Sequence, residues 1–212
     1  MSAILYSFRR CPYAMRGRMG LKVSGLSYEH REIILRDKPA HMLEVSPKGT
    51  VPVFIKEDGA VIDESLDLLY YSLGHNDPRS WLDCDLKEAQ SLIKDNDEPF
   101  KHHLDRYKYA SRYDPEAKRG DVDQAHRLEA EEFISRYETR LAQAPYLLGQ
   151  KQSIADIAIF PFMRQFANTD LEWWDQAPYP ETRAWLTRHL ESDLFKSIMV
   201  KHPLWQPEIV GS

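Results

Sequence analysis

Phe8-Arg9-Arg10-Cys11-Pro12-Tyr13-Ala14 lies between two segments of different period. Ahead of it, Ala3-Ile4-Leu5-Tyr6-Ser7 is short, apolar and β-prone. Behind it, Met15, Met19, Val23 and Leu26 recur at helical spacing. The pattern predicts a thiol where a strand turns into a helix, with Pro12 at a first-turn position that has no N–H to lose. A helix N-terminus carries about half a positive charge and unused N–H donors, and both favour thiolate over thiol. Arg9, Arg10 and Arg16 add positive charge nearby, so Cys11 is expected to ionise more readily than an ordinary cysteine.

Working outward, Ile4 to Ser7, Cys11 to Ser24 and Ser27 to Ile34 read as strand, helix and strand, with Gly25 closing the helix. That is a βαβ unit, so its strands should run parallel. Lys38-Pro39 marks a boundary ahead of a short helix to about Val45. Val51-Pro52-Val53-Phe54-Ile55 and Val61-Ile62 flank the turn Glu57-Asp58-Gly59-Ala60, and Asp63-Glu64-Ser65 opens a helix through Leu73 to Gly74. The order is βαβαββα over residues 1–75. Polar residues 76–84 read as a linker. Residues 85–212 carry helical periodicity only, with one long segment to about Asp114-Pro115 and terminal surface helices at Tyr179–Leu190 and Asp193–Val200. Ser153-Ile154-Ala155-Asp156 is a capping box, and the helix behind it, apolar nearly all round, should be the buried centre of this half. Pro161 inside it predicts a bend.

The chain has 212 residues, 42% hydrophobic and 29% charged, enough for one large or two small cored domains. A formal net charge of −5 argues against a general nucleic-acid or anionic-membrane binder. Two cysteines, Cys11 and Cys84, cannot build a disulfide framework, which fits a reducing cytosol. No apolar run approaches the ~20 residues of a membrane helix, and no leader precedes the first strand, so a cytoplasmic protein is expected. His102-His103 are adjacent and diverge by about 100° on a helix, so no metal is expected. Cys84 has no basic neighbour and reads as incidental.

Cys11-Pro12-Tyr13-Ala14, Leu35-Arg36-Asp37-Lys38-Pro39, Val51-Pro52-Val53, Asp63-Glu64-Ser65-Leu66 and Ser153-Ile154-Ala155-Asp156, in this order, resemble the cytosolic glutathione transferase superfamily. Within it they are most similar to its cysteine-type, omega-like and glutaredoxin-like members. The resemblance implies a thioredoxin-like α/β domain followed by an all-helical domain. It also implies glutathione as co-substrate and a cis Val51–Pro52 bond facing the site. Val51 would hold the cysteinyl part of glutathione, Glu64 and Ser65 its γ-glutamyl end, and Lys38 its glycine carboxylate. Ser153 and Asp156 are implied to serve folding alone. Tyr109 and Trp173-Trp174 could line an aromatic co-substrate pocket or simply pack the core.

Since Ala14 replaces the second cysteine of a Cys-x-x-Cys pair, Cys11 has no resolving partner in its motif. A lone thiolate can still form a mixed disulfide that a second thiol, glutathione, releases. The resemblance therefore implies a glutathione-dependent thiol transferase, acting on glutathionylated substrates or on dehydroascorbate, and a homodimer. The rival enzymatic reading is conjugation of glutathione to electrophiles, with Tyr6, Ser7 or Tyr13 as hydroxyl donor. The non-enzymatic rival is a glutathione-binding or regulatory protein.

Overall fold

The computed structural model describes residues 2–207. The described chain divides into two units, one formed by residues up to Arg79 with those from Ser192 onward, the other by Ser80–Glu191.

The first unit holds β1 (Ile4–Ser7), α1 (Pro12–Ser24), β2 (Glu29–Glu32), α2 (Ala40–Val45), β3 (Val53–Ile55), β4 (Val61–Ile62) and α3 (Ser65–His75). Their sheet order is β2-β1-β3-β4. β1 runs parallel to β2, with Ile4 opposite Glu29, and antiparallel to β3, with Leu5 opposite Phe54. This is the expected thioredoxin-like element order. Alternation along β1 sends Leu5 into a cluster with Phe54, Leu21 and Leu68, and Tyr6 into one with Val53, Met42 and Ile33. α1 packs against α3 through glycines. A methyl group on Gly17 would meet Leu68 Cδ2 at 2.8 Å, and one on Gly20 would meet the Leu69 backbone at 3.2 Å. Strands and helices are shorter than the periodicity suggests, because only residues paired to a neighbour count as strand.

The second unit is helical: α4 (Leu86–Asp95), a π-helical turn at Asn96–Phe100, α5 (Lys101–Lys108), α6 (Gln124–Leu141), α7 (Ile154–Ala167), α8 (Leu171–Gln176) and α9 (Pro180–Glu191). Every residue of α7 except Arg164 and Gln165 is buried, as its pattern requires. The helical segment expected to reach Asp114-Pro115 runs without interruption through α4, the π turn and α5 but ends at Lys108, followed by a 3-10 turn at Ala110–Arg112. Pro99, which lacks an N–H, sits inside the wider π turn. α9 is no mere surface helix, since Thr182, Trp185, Leu186 and His189 are buried.

Two stretches differ in company from the sequence reading. Trp81, inside the expected linker, is fully buried in the second unit. Its carbonyl accepts from Ile154 N–H at 2.9 Å and its Nε1–H donates to Gln152 Oε1 at 2.9 Å. α10 (Asp193–Ile198) and the tail behind it belong to the first unit. Leu204 forms a parallel bridge with Glu32, and Trp205 N–H donates to Glu32 O at 2.9 Å, which covers the open edge of β2.

Candidate functional site

Cys11 occupies the residue before α1, with φ −73° and ψ 124°. Its N–H donates to Phe8 O at 3.0 Å and its carbonyl accepts from Met15 N–H at 2.9 Å, so the turn into the helix is closed by backbone alone. No side chain caps this helix start. The Cys11 thiol is half-buried and faces the Val51 carbonyl, 3.7 Å away. The Val51–Pro52 peptide is cis.

The loop that carries Cys11 is braced from beneath by two buried charges. Arg18, on α1, donates through Nη1 to Ser7 Oγ (2.5 Å) and Phe8 O (3.3 Å), through Nη2 to Arg9 O (2.7 Å) and through Nε to Ile198 O (3.1 Å). Glu32, on β2, accepts from Arg9 N–H at 2.6 Å and pairs with His30 Nε2 at 3.0 Å. Burial works against the charge of Glu32, but the hydrogen bonds from His30 and the Arg9 N–H outweigh it and hold its carboxyl below the usual range. Burial lowers the Arg18 pKa, while Glu32 and Cys11 both draw it upward. Arg18, which the sequence reading did not single out, is thus a guanidinium coupled to Cys11. Two of the three arginines it did name show other partners. Arg10 lies over the Phe8 ring (5.6 Å), and Arg16 lies over Tyr13 (5.8 Å) and donates to Ser65 Oγ at 3.3 Å.

Next to Val51 opens a cleft of about 330 Å³, lined by Tyr13, Lys48, Thr50, Val51, Pro52, Asp63, Glu64 and Ser65. Four sequence-predicted residues, Val51, Pro52, Glu64 and Ser65, therefore share one cleft. Glu64 precedes α3 and Ser65 begins it, again with no side-chain cap. The N–H groups of that first turn are oriented for an anion. Lys48 was not foreseen. Its Nζ lies 2.6 Å from Glu64 Oε1 and 3.3 Å from Asp63 Oδ1. Partial burial works to lower the Lys48 pKa, but the two carboxylates outweigh it and raise it. Ser46 Oγ–H donates to Asp63 Oδ2 at 2.6 Å and, with Lys48, holds Asp63 below the usual carboxylate range. Lys38 lines a different cavity, of about 280 Å³, shared with Asp37 and Trp205. Its ammonium nevertheless hangs over Gly49, where a methyl group would sit 3.4 Å from Nζ.

The hydroxyls considered for conjugation have other engagements. Tyr6 Oη contacts His41 Nδ1 at 2.7 Å and accepts from Arg31 Nη1 at 2.7 Å, and burial pushes its pKa up. Ser7 Oγ accepts from Arg18. Tyr13 alone of the three lines the cleft.

In the helical unit, Tyr109 accepts from Gln165 Nε2 at 3.2 Å under the Arg112 guanidinium (4.0 Å), and Trp173 lies edge-on to Phe166 beneath Arg127 (4.2 Å). Cys84 donates to Trp81 O at 3.6 Å, and burial, with Asp156, Asp85 and Asp83 adding to it, pushes its thiol up.

Residues 5–81 match the glutathione S-transferase N-terminal domain model and residues 92–193 the glutathione S-transferase C-terminal domain model. The chain is 26% identical over 200 residues to glutathione S-transferase U19 of Arabidopsis thaliana, covering 90% of this chain and 86% of that one. It is 40% identical over 62 residues to mouse (Mus musculus) glutathione S-transferase omega-1, covering 29% and 26%. A glutathione transferase family member from Pseudomonas fluorescens, crystallised with two glutathiones bound, superposes with a TM-score of 0.77 at 19% identity, covering 93% and 92%. No helix among the described residues is long and apolar enough to cross a membrane.

Proposed function

The chain belongs to the glutathione S-transferase family, and from that premise and the thiol at its first helix we propose that it is a glutathione-dependent thiol transferase. The observation that carries the reading is the Cys11 thiol 3.7 Å from Val51 O, beside a cleft whose lining includes Val51, Pro52, Glu64 and Ser65. Glutathione's α-carboxylate sits at the uncapped start of α3 with Ser65, and Glu64 takes its ammonium. Val51 pairs with the cysteinyl backbone. Lys48, with Lys38 over Gly49 beside it, offers positive charge to the glycine carboxylate. Tyr109 and Trp173 serve the second substrate. Homodimer assembly in the cytosol follows the family's habit.

In the reaction, Cys11 thiolate attacks the glutathionyl sulfur of a mixed disulfide. The Cys11–glutathione disulfide forms as the bond to the substrate sulfur breaks, and the departing thiolate takes a proton from solvent. A second glutathione, having lost its proton to solvent, attacks the glutathionyl sulfur. Cys11 thiolate is regenerated and glutathione disulfide leaves. With dehydroascorbate as acceptor, two glutathiones supply the two electrons and two protons, yielding ascorbate and glutathione disulfide. Arg18 and Glu32 act through the loop they brace, keeping Cys11 at the mouth of α1.

The test is glutathione-driven reduction of a small glutathione mixed disulfide by the purified chain and by Cys11→Ser. Acceleration by the first and its loss in the second support the assignment. A Cys11→Ser protein that keeps this activity, or that improves conjugation to electrophiles alone, overturns the thiol-transfer assignment. Inactivity of the intact protein in thiol-transfer, dehydroascorbate-reduction and conjugation assays supports a binding protein.

A further inference from the structure

The helical unit holds a set of donor side chains of its own, none of them among the cleft-lining residues. His102 and His103 lie in the first turn of α5, and His126 is the third residue of α6. The start of α6 is docked on α5 by its own backbone, because Asp123 N–H donates to Tyr107 O at 3.1 Å. Asp123 also caps the new helix through Ala125 and His126 N–H. That docking brings His126 up to the two α5 histidines. One ligand atom from each of the three lies within 4.8 Å of the others, and His103 Nδ1 is 2.9 Å from His126 Nδ1. Ring centroids are 5.0 Å apart for 102–103, 5.8 Å for 102–126 and 5.1 Å for 103–126. Divergence of adjacent helical residues, the reason the sequence argues against a metal, is overcome because the third imidazole comes from another helix.

We propose that His102, His103 and His126 form a binding site for a first-row divalent transition ion, with zinc as the reference ion and water completing its coordination. Three imidazoles are the donor set that zinc, nickel and copper take in preference to magnesium or calcium. Tetrahedral zinc with bonds of about 2.0–2.1 Å sets nitrogen–nitrogen separations of about 3.3 Å. The observed separations, 2.9 Å for the closest pair and 4.8 Å at most, bracket that value. Arg106 Nη1 lies 3.0 Å from His102 Nδ1 and competes for that nitrogen. Its guanidinium already rests over the Tyr113 ring at 4.4 Å, which gives it a seat when the ion displaces it. Glu129, one turn beyond His126 on α6, adds negative charge near His103 that opposes the charge of Arg106. An ion held this way ties the first turn of α5 to the first turn of α6.

The experiment uses the full chain with both thiols alkylated by iodoacetamide, so that sulfur cannot bind the titrant. Calorimetric titration with zinc chloride should give one equivalent bound in the micromolar range. His103→Asn and His126→Gln should each weaken it at least tenfold, and His202→Asn, in the His30–His202 stack of the other unit, should leave it unchanged. Where a variant fails to fold, cobalt(II) absorption of the unmutated chain decides: intense tetrahedral bands support the site and weak octahedral bands overturn it. Zinc binding that survives both substitutions, or no saturable binding, also overturns it.

Discussion

The two helices beside the cleft begin differently from those of the helical unit. In the helical unit, Asp85, Asp123 and Asp170 cap α4, α6 and α8 with their own carboxylates, and Ser153 with Asp156 boxes the start of α7. In the first unit, α1 and α3 start at Cys11 and Glu64 with no side-chain cap. A cap contributes about 0.5–2 kcal/mol, and these two helices forgo it. Their first-turn N–H donors are thereby left open, whereas α10 of the same unit is capped by Ser192 Oγ, which accepts from Phe195 N–H at 3.2 Å, so it is the two helices beside the cleft that go without a cap. The cysteines repeat the contrast. Cys84 is ringed by Asp83, Asp85 and Asp156, whereas Cys11 is coupled to the Arg18 guanidinium.

The largest expected effect breaks the chemical side of that comparison. Cys11→Ser should lower thiol-transfer kcat/KM about a thousandfold, near 4 kcal/mol of transition-state stabilisation, with urea unfolding unchanged. Cys84→Ser should leave the rate within a factor of two. Comparable losses from both substitutions would erase the distinction between the two sulfurs.

Next in size is the structural side. Asp156 is fully buried and accepts four hydrogen bonds, from Leu147 N–H (2.9 Å), Ser153 N–H (2.9 Å), Ser153 Oγ–H (2.8 Å) and Trp185 Nε1–H (2.9 Å). Burial pushes its pKa up against the pull of these donors. Asp156→Ala orphans the donors and should cost about 3 kcal/mol in urea unfolding, while kcat per folded molecule stays constant. A cost below about 1 kcal/mol would show that caps in this unit are ornamental.

Much of this division was legible in the chain. Cys11-Pro12 between a strand and a helical period, Val51-Pro52 before a strand, and Glu64-Ser65 at a helix start are local patterns; the last two line the cleft, and the Cys11 thiol faces the Val51 carbonyl beside it. The buried centre at α7 was legible because nearly every position in it is apolar. What stayed hidden depends on pairing across long stretches of sequence. Arg18 reads as one more charge on a helix until its three loop partners are seen. Lys48 lies in turn chemistry whose direction composition does not set. The Glu32–Leu204 bridge is too short to leave a period-two signal, and His126 has no local reason to face His103.

The third prediction concerns pH. His189 is buried in the helical unit, stacked on Phe160 at 4.6 Å, and accepts from Gln152 Nε2 at 3.2 Å. Trp81 donates to the other end of that amide, so the Gln152 N–H must face the ring and His189 Nδ1 must be unprotonated. Burial lowers its pKa from 6.5 to about 3. A histidine depressed in the folded state binds protons only after unfolding, so its contribution is intact above pH 6.5 and is lost as pH falls from there toward 3. Wild type should lose about 2 kcal/mol more stability between pH 7 and pH 5 than His189→Phe, read by urea unfolding at both pH values. Parallel pH profiles would mean that the ring titrates alike folded and unfolded.

The smallest effect sharpens the cleft itself. Lys48 holds Glu64 at 2.6 Å and lines the cleft, whereas Lys38 reaches it only over Gly49. Lys48 is about a third exposed, so solvent screens whatever charge it offers a bound carboxylate. Lys48→Met should therefore raise KM for glutathione only about fivefold, near 1 kcal/mol, and leave kcat in place. Lys38→Met should stay within a factor of two. The comparison of helix starts makes the sign informative. If the open donors of α3 alone held glutathione, removing Lys48 would release Glu64 for the ammonium and lower KM. A rise means that the lysine meets the ligand, and a larger rise for Lys38→Met would move the glycine carboxylate to the Gly49 side of the cleft.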